Sequence, residues 1–491
     1  MATFSQRMRV FFRNIWRIKS VDHILQQSKQ EGESGKGLKR TLGAVSITAM
    51  GVGAIVGTGI FVLTGVAAAK YAGPGLIFSF VLAGIVSGLA AICYAEFAST
   101  VPVAGSAYTY SYATLGELIA WIIGWDLVLE YAVGAAAVSI GWAGYVSDLL
   151  KSAFGVTLPT SLTASPFAGG IVNLPAVLII LVITALLIVG TSQSTIVNNI
   201  IVAIKLLVIL FFIVIGFGHV NPANWHPFLP FGAGGIFRGA SIIFFAYIGF
   251  DQVSTSAEEA KNPGRDLPIG IITSLLVCTV LYIVVTAILT GMVSYTKLNV
   301  ASPVSHALIL IGLPVFGSII SVGAICGLTT VLLVLLFGQS RIFFSMSRDG
   351  LLPRLFSHVH PRFRTPYLAS LIVGVVVALI AGFIPIDIVA ELTNIGTLTA
   401  FVLVSAAILI LRRTQPNLRR GFRTPLVPWV PILSILASLV LIVSLPLVTI
   451  IRFFVWLAIG LVIYVLYSYH HSRLRREAST ERVVPEAPKA S

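Results

Sequence analysis

Charged residues are scarce in this sequence. Asp, Glu, Lys and Arg make up only 10% of the 491 residues, whereas hydrophobic residues make up 57% and the mean hydropathy is +0.97. In soluble globular domains about a quarter of the residues are charged. The composition therefore excludes a soluble globule and predicts an all-α polytopic membrane protein, because helices satisfy their own backbone hydrogen bonds in lipid.

Cysteine is scarce as well, and the three cysteines, Cys93, Cys278 and Cys326, all lie in apolar runs. This placement indicates neither a disulfide framework nor a metal-binding pair, and we expect packing roles. The sequence also offers no cluster of His and carboxylate residues for a metal and no activated nucleophile. We therefore expect no enzyme activity, no metal and no cofactor.

The basic residues are unevenly distributed along the chain. Lys and Arg number 32 against 18 Asp and Glu, which gives a formal net charge of +14. Such an excess can indicate nucleic-acid binding, but 26 of the 32 fall on one predicted side of the membrane. This is the positive-inside pattern. It predicts a multi-pass plasma-membrane protein with both termini in the cytoplasm and no nucleic-acid partner.

The apolar residues fall into about twelve segments, each near the ~20 residues that one bilayer crossing requires. Segments 1 to 6 are expected at 44–70, 74–99, 117–147, 173–191, 195–218 and 233–257. Segments 7 to 12 are expected at 267–292, 315–346, 367–384, 386–411, 428–448 and 451–470.

Both ends of the chain are polar. The N-terminal arm, residues 1–42, carries apolar residues at helical spacing among arginines, which predicts a short amphipathic helix on the inner leaflet. A disordered arm with chance periodicity is the open alternative. The tail, residues 471–491, is charged and is expected to be disordered. The apolar residues of the arm are Phe4, Met8, Phe11, Phe12, Ile15 and Trp16.

Segment 1 is interrupted in its middle by glycines. Residues 53–61 read Gly-Ala-Ile-Val-Gly-Thr-Gly-Ile-Phe, and each interior Gly costs about 1 kcal/mol of helix stability relative to Ala. One interpretation is a discontinuous membrane helix whose second half begins near Thr58 and Gly59 and binds an anionic group. The other is close helix packing through Gly53 and Gly57, a small-xxx-small pair.

A second interruption favours the first interpretation. Segment 6 carries Gly249 and Asp251 inside an otherwise membrane-like stretch. Segments 1 and 6 are five apart, and because five is odd, they cross the membrane in opposite directions. This predicts an inverted repeat whose two broken helices meet at the midplane. The expected units are the first five-helix repeat, the second repeat and the two last helices, at 43–218, 233–411 and 426–470.

Ionisable residues within membrane segments are functional candidates by default, and three of those in this sequence are assigned roles here. Lys205 has five apolar neighbours on each side, and burial disfavours its charged form. We take Lys205 as the carrier of a coupling proton; the alternative is a permanently charged lysine paired with a carboxylate. Asp251 either senses protons and gates the inner side or caps the amides of the break. Glu130 either faces a cationic ligand or pairs with a neighbouring helix.

Three motifs stand out along the chain: Gly53-Ala-Ile-Val-Gly-Thr-Gly-Ile-Phe61, Phe244-Phe-Ala-Tyr-Ile-Gly-Phe-Asp251 with Glu258-Glu-Ala-Lys-Asn-Pro263, and Gly338-Gln-Ser-Arg341 with Met346-Ser-Arg-Asp-Gly-Leu-Leu-Pro353. They resemble those of the amino acid–polyamine–organocation superfamily, specifically its cationic amino acid transporter branch. The resemblance covers residues 38–469, with about twelve segments rather than the fourteen of animal members, as in a bacterial-type protein. It implies the leucine-transporter fold, with two inverted five-helix repeats and two extra helices.

The resemblance also implies a substrate site at the two breaks. Thr58 and Gly59 would donate to the α-carboxylate of an amino acid, and the side-chain pocket would come from segments 3, 6 and 8. The carbonyls of Ile55, Phe245 and Ile248 would accept from its α-ammonium group, and Gly57, Ala246 and Glu130 complete the expected set. Asp251 matches the position of a gating acidic residue in related exchangers, and Lys205 matches the lysine of proton-coupled members.

Together these features predict a proton-coupled L-amino acid symporter that works by alternating access. An exchanger without proton coupling is the alternative, and a receptor that binds an amino acid without moving it is a further one. The expected partners are the amino acid and the lipid bilayer; the sequence carries no signal for or against a small membrane subunit. Flux into proteoliposomes distinguishes a receptor from a carrier, and dependence on a proton gradient distinguishes symport from exchange.

Overall fold

A computed structural model describes residues 17–18, 42–101, 106–190, 195–363 and 365–475. The amphipathic helix predicted in the N-terminal arm and the disorder predicted for the end of the tail lie outside the described residues. Within these ranges the secondary structure is helical, apart from one bridge that pairs Leu42 with Ala260. That bridge joins the start of segment 1 to the end of segment 6.

Fourteen α-helices of eight or more residues lie in the described part of the chain. Helices α1 to α7 are Ala44–Ile55, Leu76–Thr100, Ser106–Thr114, Glu117–Phe154, Leu174–Val189, Thr195–Phe217 and Gly232–Ile243. Helices α8 to α14 are Pro263–Met292, Pro303–Leu310, Pro314–Arg348, Tyr367–Phe383, Ile386–Thr414, Trp429–Val443 and Leu447–Ile463. Shorter α, π and 3-10 turns connect or extend these helices.

The protein spans the membrane with several apolar helices. Eight helical stretches of the described residues are long and apolar enough to cross a bilayer, and they overlap predicted segments 2, 3, 5, 6, 7, 8, 10 and 12. Four shorter apolar helices, α1, α5, α11 and α13, coincide with parts of segments 1, 4, 9 and 11. The polytopic all-α class is therefore established, while the number twelve and the inverted repeat stay predictions.

Both predicted interruptions are present. Helix α1 ends at Ile55, and Val56 has an extended backbone with φ −73° and ψ 100° before a π-helix begins at Gly59. In segment 6, α7 passes into a short 3-10 turn, Phe244–Tyr247, and a second 3-10 stretch begins at Asp251. In the middle of each segment, some backbone N–H and C=O groups therefore lack a hydrogen-bond partner within their own helix.

The two breaks touch each other because small residues stand where they meet. Gly59 lies against the backbone of Ala246 so closely that any side chain would clash. Gly249 has φ +118°, and a Cβ there would lie 2.8 Å from the carbonyl oxygen of Ala54. Gly53, in contrast, packs on Val202 of α6. Gly59 therefore fits the interpretation as a broken helix, and Gly53 fits the interpretation as close helix packing.

A buried ion-pair network ties α2 to α12. Glu96 is fully buried, and Arg412 donates to its two carboxylate oxygens over 2.8 and 2.9 Å. Arg420 lies 3.1 Å from the same carboxylate, and the backbone N–H of Thr424 donates to it over 2.8 Å. The long helix α4 packs against α10 and α12 on the other side of the breaks. The broken segments are thus enclosed by long, continuous helices.

The contact between Gly249 and Ala54 gives a stability prediction. Gly249→Ala should lower the unfolding free energy by about 1–3 kcal/mol, because its φ is unfavourable for any residue with a Cβ. Thermal unfolding of the detergent-purified protein measures this effect. Gly88→Ala is the matched control, since a Cβ at Gly88 meets nothing closer than 3.9 Å. Equal melting temperatures of the two variants would contradict the close approach of the breaks.

Candidate functional site

A small cavity lies where the two breaks meet. Its volume is about 20 Å³, which is room for roughly one water molecule and not for an amino acid. The cavity must therefore widen before it can hold a larger solute. Its lining residues come from segments 1, 3, 6, 8 and 10: Ala54, Ile55, Gly57, Thr58, Gly59, Glu130, Gly134, Val138, Phe245, Ile248, Gln252, Val331, Leu335 and Thr393.

Segment 1 contributes a polar end to this cavity. Thr58 is 1% exposed, and within the described ranges its Oγ1 atom has no hydrogen-bond partner. It precedes the π-helix Gly59–Leu63, and the first N–H groups of any helix lack partners within that helix. An unpartnered hydroxyl and free amides at a helix start are suited to a carboxylate.

Tyr282 of α8 joins the two breaks. Its hydroxyl lies 2.9 Å from the carbonyl oxygen of Ile55 and 3.0 Å from that of Ala246. One hydroxyl carries one proton, so it donates fully to only one of the two carbonyls at a time. Sequence reasoning missed Tyr282; the available signal is a tyrosine inside an apolar segment, whose hydroxyl needs a partner when buried.

Lys205 of α6 is bound to the break of segment 1. Its side chain is 2% exposed, and its Nζ donates to the carbonyl oxygens of Gly53 over 2.8 Å and of Val56 over 3.3 Å. Gly327 of α10 leaves room for the lysine stem, since a Cβ there would lie 3.1 Å from it. No carboxylate of the described residues forms an ion pair with Lys205. The described structure therefore lacks the carboxylate partner of the alternative interpretation.

The two acidic candidates occupy different positions. Glu130 lines the cavity and lies close to Thr397. Asp251 is buried and does not line the cavity; backbone N–H groups of the break, including that of Gly249, lie close to its carboxyl group. This geometry is that of the capping interpretation of Asp251. The structure also buries Asp126, one turn from Glu130, a residue to which we assigned no role from the sequence.

The remaining wall of the cavity is apolar. Gly134 and Val138 of α4 face Val331 and Leu335 of α10. Segments 3, 6 and 8 were expected to form the side-chain pocket, and Thr393 shows that segment 10 contributes as well. These residues carry no motif, so nothing in the sequence distinguishes them from lipid-facing neighbours. In the described ranges, no group of three His, Cys, Asp or Glu residues could hold a metal ion.

Seven of the eight residues expected to bind substrate line this one cavity, and the eighth, Ala246, lies beside it with its carbonyl on Tyr282. Apolar helices that break around a central cavity, one of them held by a buried amine, are typical of membrane transport proteins. The class defined by this fold and site is therefore a transporter.

The family follows from comparison with known proteins. The amino acid permease family matches residues 42–467, and the chain belongs to this family. It is 50% identical over 465 residues to the methylthioribose transporter of Bacillus subtilis, covering 94% of this chain and 100% of the relative. It is 52% identical over 468 residues to the branched-chain amino acid permease of the same organism, covering 94% and 99%. A vacuolar cationic amino acid transporter 4 of Arabidopsis thaliana is 40% identical over 390 residues, covering 77% and 64%.

The position of Tyr282 gives a prediction for the site. Tyr282→Phe should lower the unfolding free energy by about 1–3 kcal/mol, because the Ile55 and Ala246 carbonyls lose their donor in a buried place. The measurement is again thermal unfolding in detergent. Tyr295→Phe is the control, because Tyr295 lies in a half-buried turn away from the breaks. If both variants unfold like the parent, the hydroxyl does not hold the breaks together.

Proposed function

We propose that this amino acid permease is a proton-coupled symporter of neutral aliphatic L-amino acids in the plasma membrane, with both termini in the cytoplasm. The observation that carries the coupling is the position of Lys205, whose amine contacts the break of segment 1 and has no carboxylate partner among the described residues. The break in turn lines the cavity in which the substrate would bind. The proposed proton site at Lys205 and the proposed substrate site in the cavity thus share the backbone of the segment 1 break.

The proposed architecture has twelve crossings and two inverted five-helix repeats. Two features support it: the breaks lie in segments 1 and 6, and they touch at Gly59 and Ala246. Inverted repeats place two discontinuous helices at a shared site near the midplane. The excess of Lys and Arg on one side orients the chain.

The proposed recognition of the amino acid backbone uses groups of both breaks. Thr58 and Gly59 take the carboxylate, because they form the start of a helical stretch and the Thr58 hydroxyl has no other partner in the described residues. The ammonium group takes a carbonyl at the breaks. Since the Tyr282 hydroxyl can donate to only one of Ile55 and Ala246, the other carbonyl is available to the substrate.

The side chain of the substrate would face the apolar wall. Gly134, Val138, Val331 and Leu335 fit an aliphatic group, and one of the most similar relatives is a branched-chain amino acid permease. Glu130 favours a second candidate, a cationic side chain, as the name of the Arabidopsis thaliana relative states for that protein. Transport assays with L-valine and L-arginine distinguish the two.

The proposed coupling rests on the two forms of Lys205. A charged ammonium group and a neutral amine interact differently with the carbonyls of Gly53 and Val56, and only such a difference can shift a conformational equilibrium. Loss of a proton would loosen segment 1 from α6 and allow the cavity to open. In the exchanger alternative, Lys205 stays charged and only holds the structure together.

Lys205→Ala tests this coupling. We expect the variant to lose uptake of L-valine driven by a proton gradient in proteoliposomes, because no group is left to carry the proton. Binding should remain detectable as thermal stabilisation by L-valine, which measures affinity without flux. Lys297→Ala is the control, since Lys297 is exposed in a connecting turn. Gradient-driven uptake by Lys205→Ala at the parental rate would rule out the mechanism.

Gly134→Ala tests the side-chain pocket. A Cβ at Gly134 would lie 3.6 Å from Thr393 and 3.8 Å from Leu335, at ordinary contact distance, so the fold should tolerate it. The added methyl group narrows the wall, and a methyl-sized change in a pocket alters affinity by about 10-fold or more. Uptake of L-leucine should therefore fall relative to that of L-alanine. An unchanged ratio would place the substrate side chain elsewhere.

A further inference from the structure

A second cavity lies above the first, on the side of the membrane predicted to be external. Its volume is about 350 Å³, within the range of sites for small solutes. It lies between the outer end of segment 1, at Val66 and Lys70, and the start of α12, at Asp387; the loop at 163–168 covers it.

The cavity presents one positive and one negative group side by side. Lys70 Nζ lies 3.4 Å from Asp387 Oδ2, with the two side chains 40% and 33% exposed. A charge-assisted hydrogen bond is usually about 2.7–2.9 Å long, and exposed ion pairs contribute little stability. The other Asp387 oxygen accepts from the Ile388 backbone N–H over 3.2 Å, which holds the carboxylate in place. The pair is therefore loose, and a ligand that satisfies both charges can replace it at little cost.

Other charged groups lie near this pair. Glu391 accepts a hydrogen bond from the Thr449 hydroxyl, and Arg452 lies within electrostatic range of Glu391. Tyr71 lies within electrostatic range of Glu391, Asp387 and Arg238. Lys70 and Asp387 are the charged residues that line the cavity itself.

The rest of the lining fits the body of an amino acid. Ile140, Ile384 and Ile386 supply an apolar wall. Ser165 also lines the cavity; it is 5% exposed, and its hydroxyl has no hydrogen-bond partner among the described residues. A buried polar group without a partner is unusual, because it loses its hydration without compensation. Its position is that of a group whose partner is a bound solute.

The two cavities share three helical segments. Segment 1 carries Gly59 at the inner cavity and Val66 at the outer one, α4 carries Val138 and Ile140, and α12 carries Thr393 and Asp387. The seven residues from Gly59 to Val66 correspond to a rise of about 10 Å along segment 1. The outer cavity therefore lies towards the predicted external end of that segment.

We propose that the outer cavity is a first binding site for the zwitterion of the transported amino acid, in which Lys70 binds the carboxylate and Asp387 binds the ammonium group. This inference rests on the proposed transport function. The bound zwitterion replaces the ion pair and moves apart segment 1 and α12, which the pair joins. The substrate then advances to the inner cavity when that cavity opens.

The test is uptake of radiolabelled L-valine by the full chain in proteoliposomes. Lys70→Met and Asp387→Asn should each lower kcat/KM about tenfold, the effect of losing one charge-assisted hydrogen bond to a ligand, while kcat at saturation changes little. The charge-reversed double variant, Lys70→Asp with Asp387→Lys, restores an ion pair but reverses the site. It should remain as poor as the single variants; recovery of kcat/KM would show a gate without a binding site and overturn the proposal.

A steric pair of variants checks the same site without altering charge. Ala168→Trp places a large side chain in the cavity lining, whereas Val156→Trp alters an exposed position of the same connection outside that lining. Only Ala168→Trp should lower kcat/KM. If Ala168→Trp, Lys70→Met and Asp387→Asn all keep the parental kcat/KM, the proposal that the outer cavity binds the substrate is wrong.

Equilibrium binding separates this inference from the transport function. Failure of the parent protein to take up L-valine would contradict the proposed substrate or function. Saturation binding of radiolabelled L-valine to the purified parent protein still tests whether the outer cavity is a binding site. We expect the parent protein to show a tight and a weak binding component. The weak component should be absent in Asp387→Asn. A single component that is unchanged in Asp387→Asn would overturn it.

Discussion

Free backbone carbonyls at the breaks are the constraint on which the rest of the structure depends. Lipid supplies no hydrogen-bond donors, so irregular backbone at membrane depth must be satisfied by protein. Here Lys205 donates to the carbonyl oxygens of Gly53 and Val56, and the hydroxyl of Tyr282 lies within hydrogen-bond distance of those of Ile55 and Ala246. Both side chains reach the breaks from other helices, α6 and α8. The groups that stabilise the interruptions thus also set the shape of the cavity and the point at which a proton would act.

Helix α12 is attached at its two ends to the segments that carry or flank the first break. Near its C-terminus Arg412 donates two short hydrogen bonds to the fully buried carboxylate of Glu96 in α2. At its N-terminus Asp387 meets Lys70 of segment 1 over 3.4 Å in a partly exposed place. Buried bidentate pairs with additional hydrogen bonds hold more firmly than exposed ones. The attachment of α12 at Asp387 is therefore weaker than the attachment at Arg412. The inner cavity is small while both attachments are present.

Much of the candidate site could be predicted from the sequence, because glycines and ionisable residues in an apolar run are locally conspicuous. Gly57, Thr58 and Gly59 line the cavity. Asp251 lies outside it, with backbone N–H groups of the break close to its carboxyl group, as in the capping interpretation. Tyr282 and Glu96 were given no role, since their partners, Ile55 and Arg412, lie 227 and 316 residues away in the chain.

The sequence by itself determined the membrane class, the apolar segments and the two interruptions, because hydropathy and helix propensity are local properties. Only the tertiary structure decided that the breaks touch at Gly59 and Ala246 and that the partners of Lys205 within the described residues are backbone carbonyls. It also decided which apolar residues of α4 and α10 face the cavity and not lipid. Lipid and protein interior are similarly apolar, so composition cannot separate those two faces; only the packing of distant segments does.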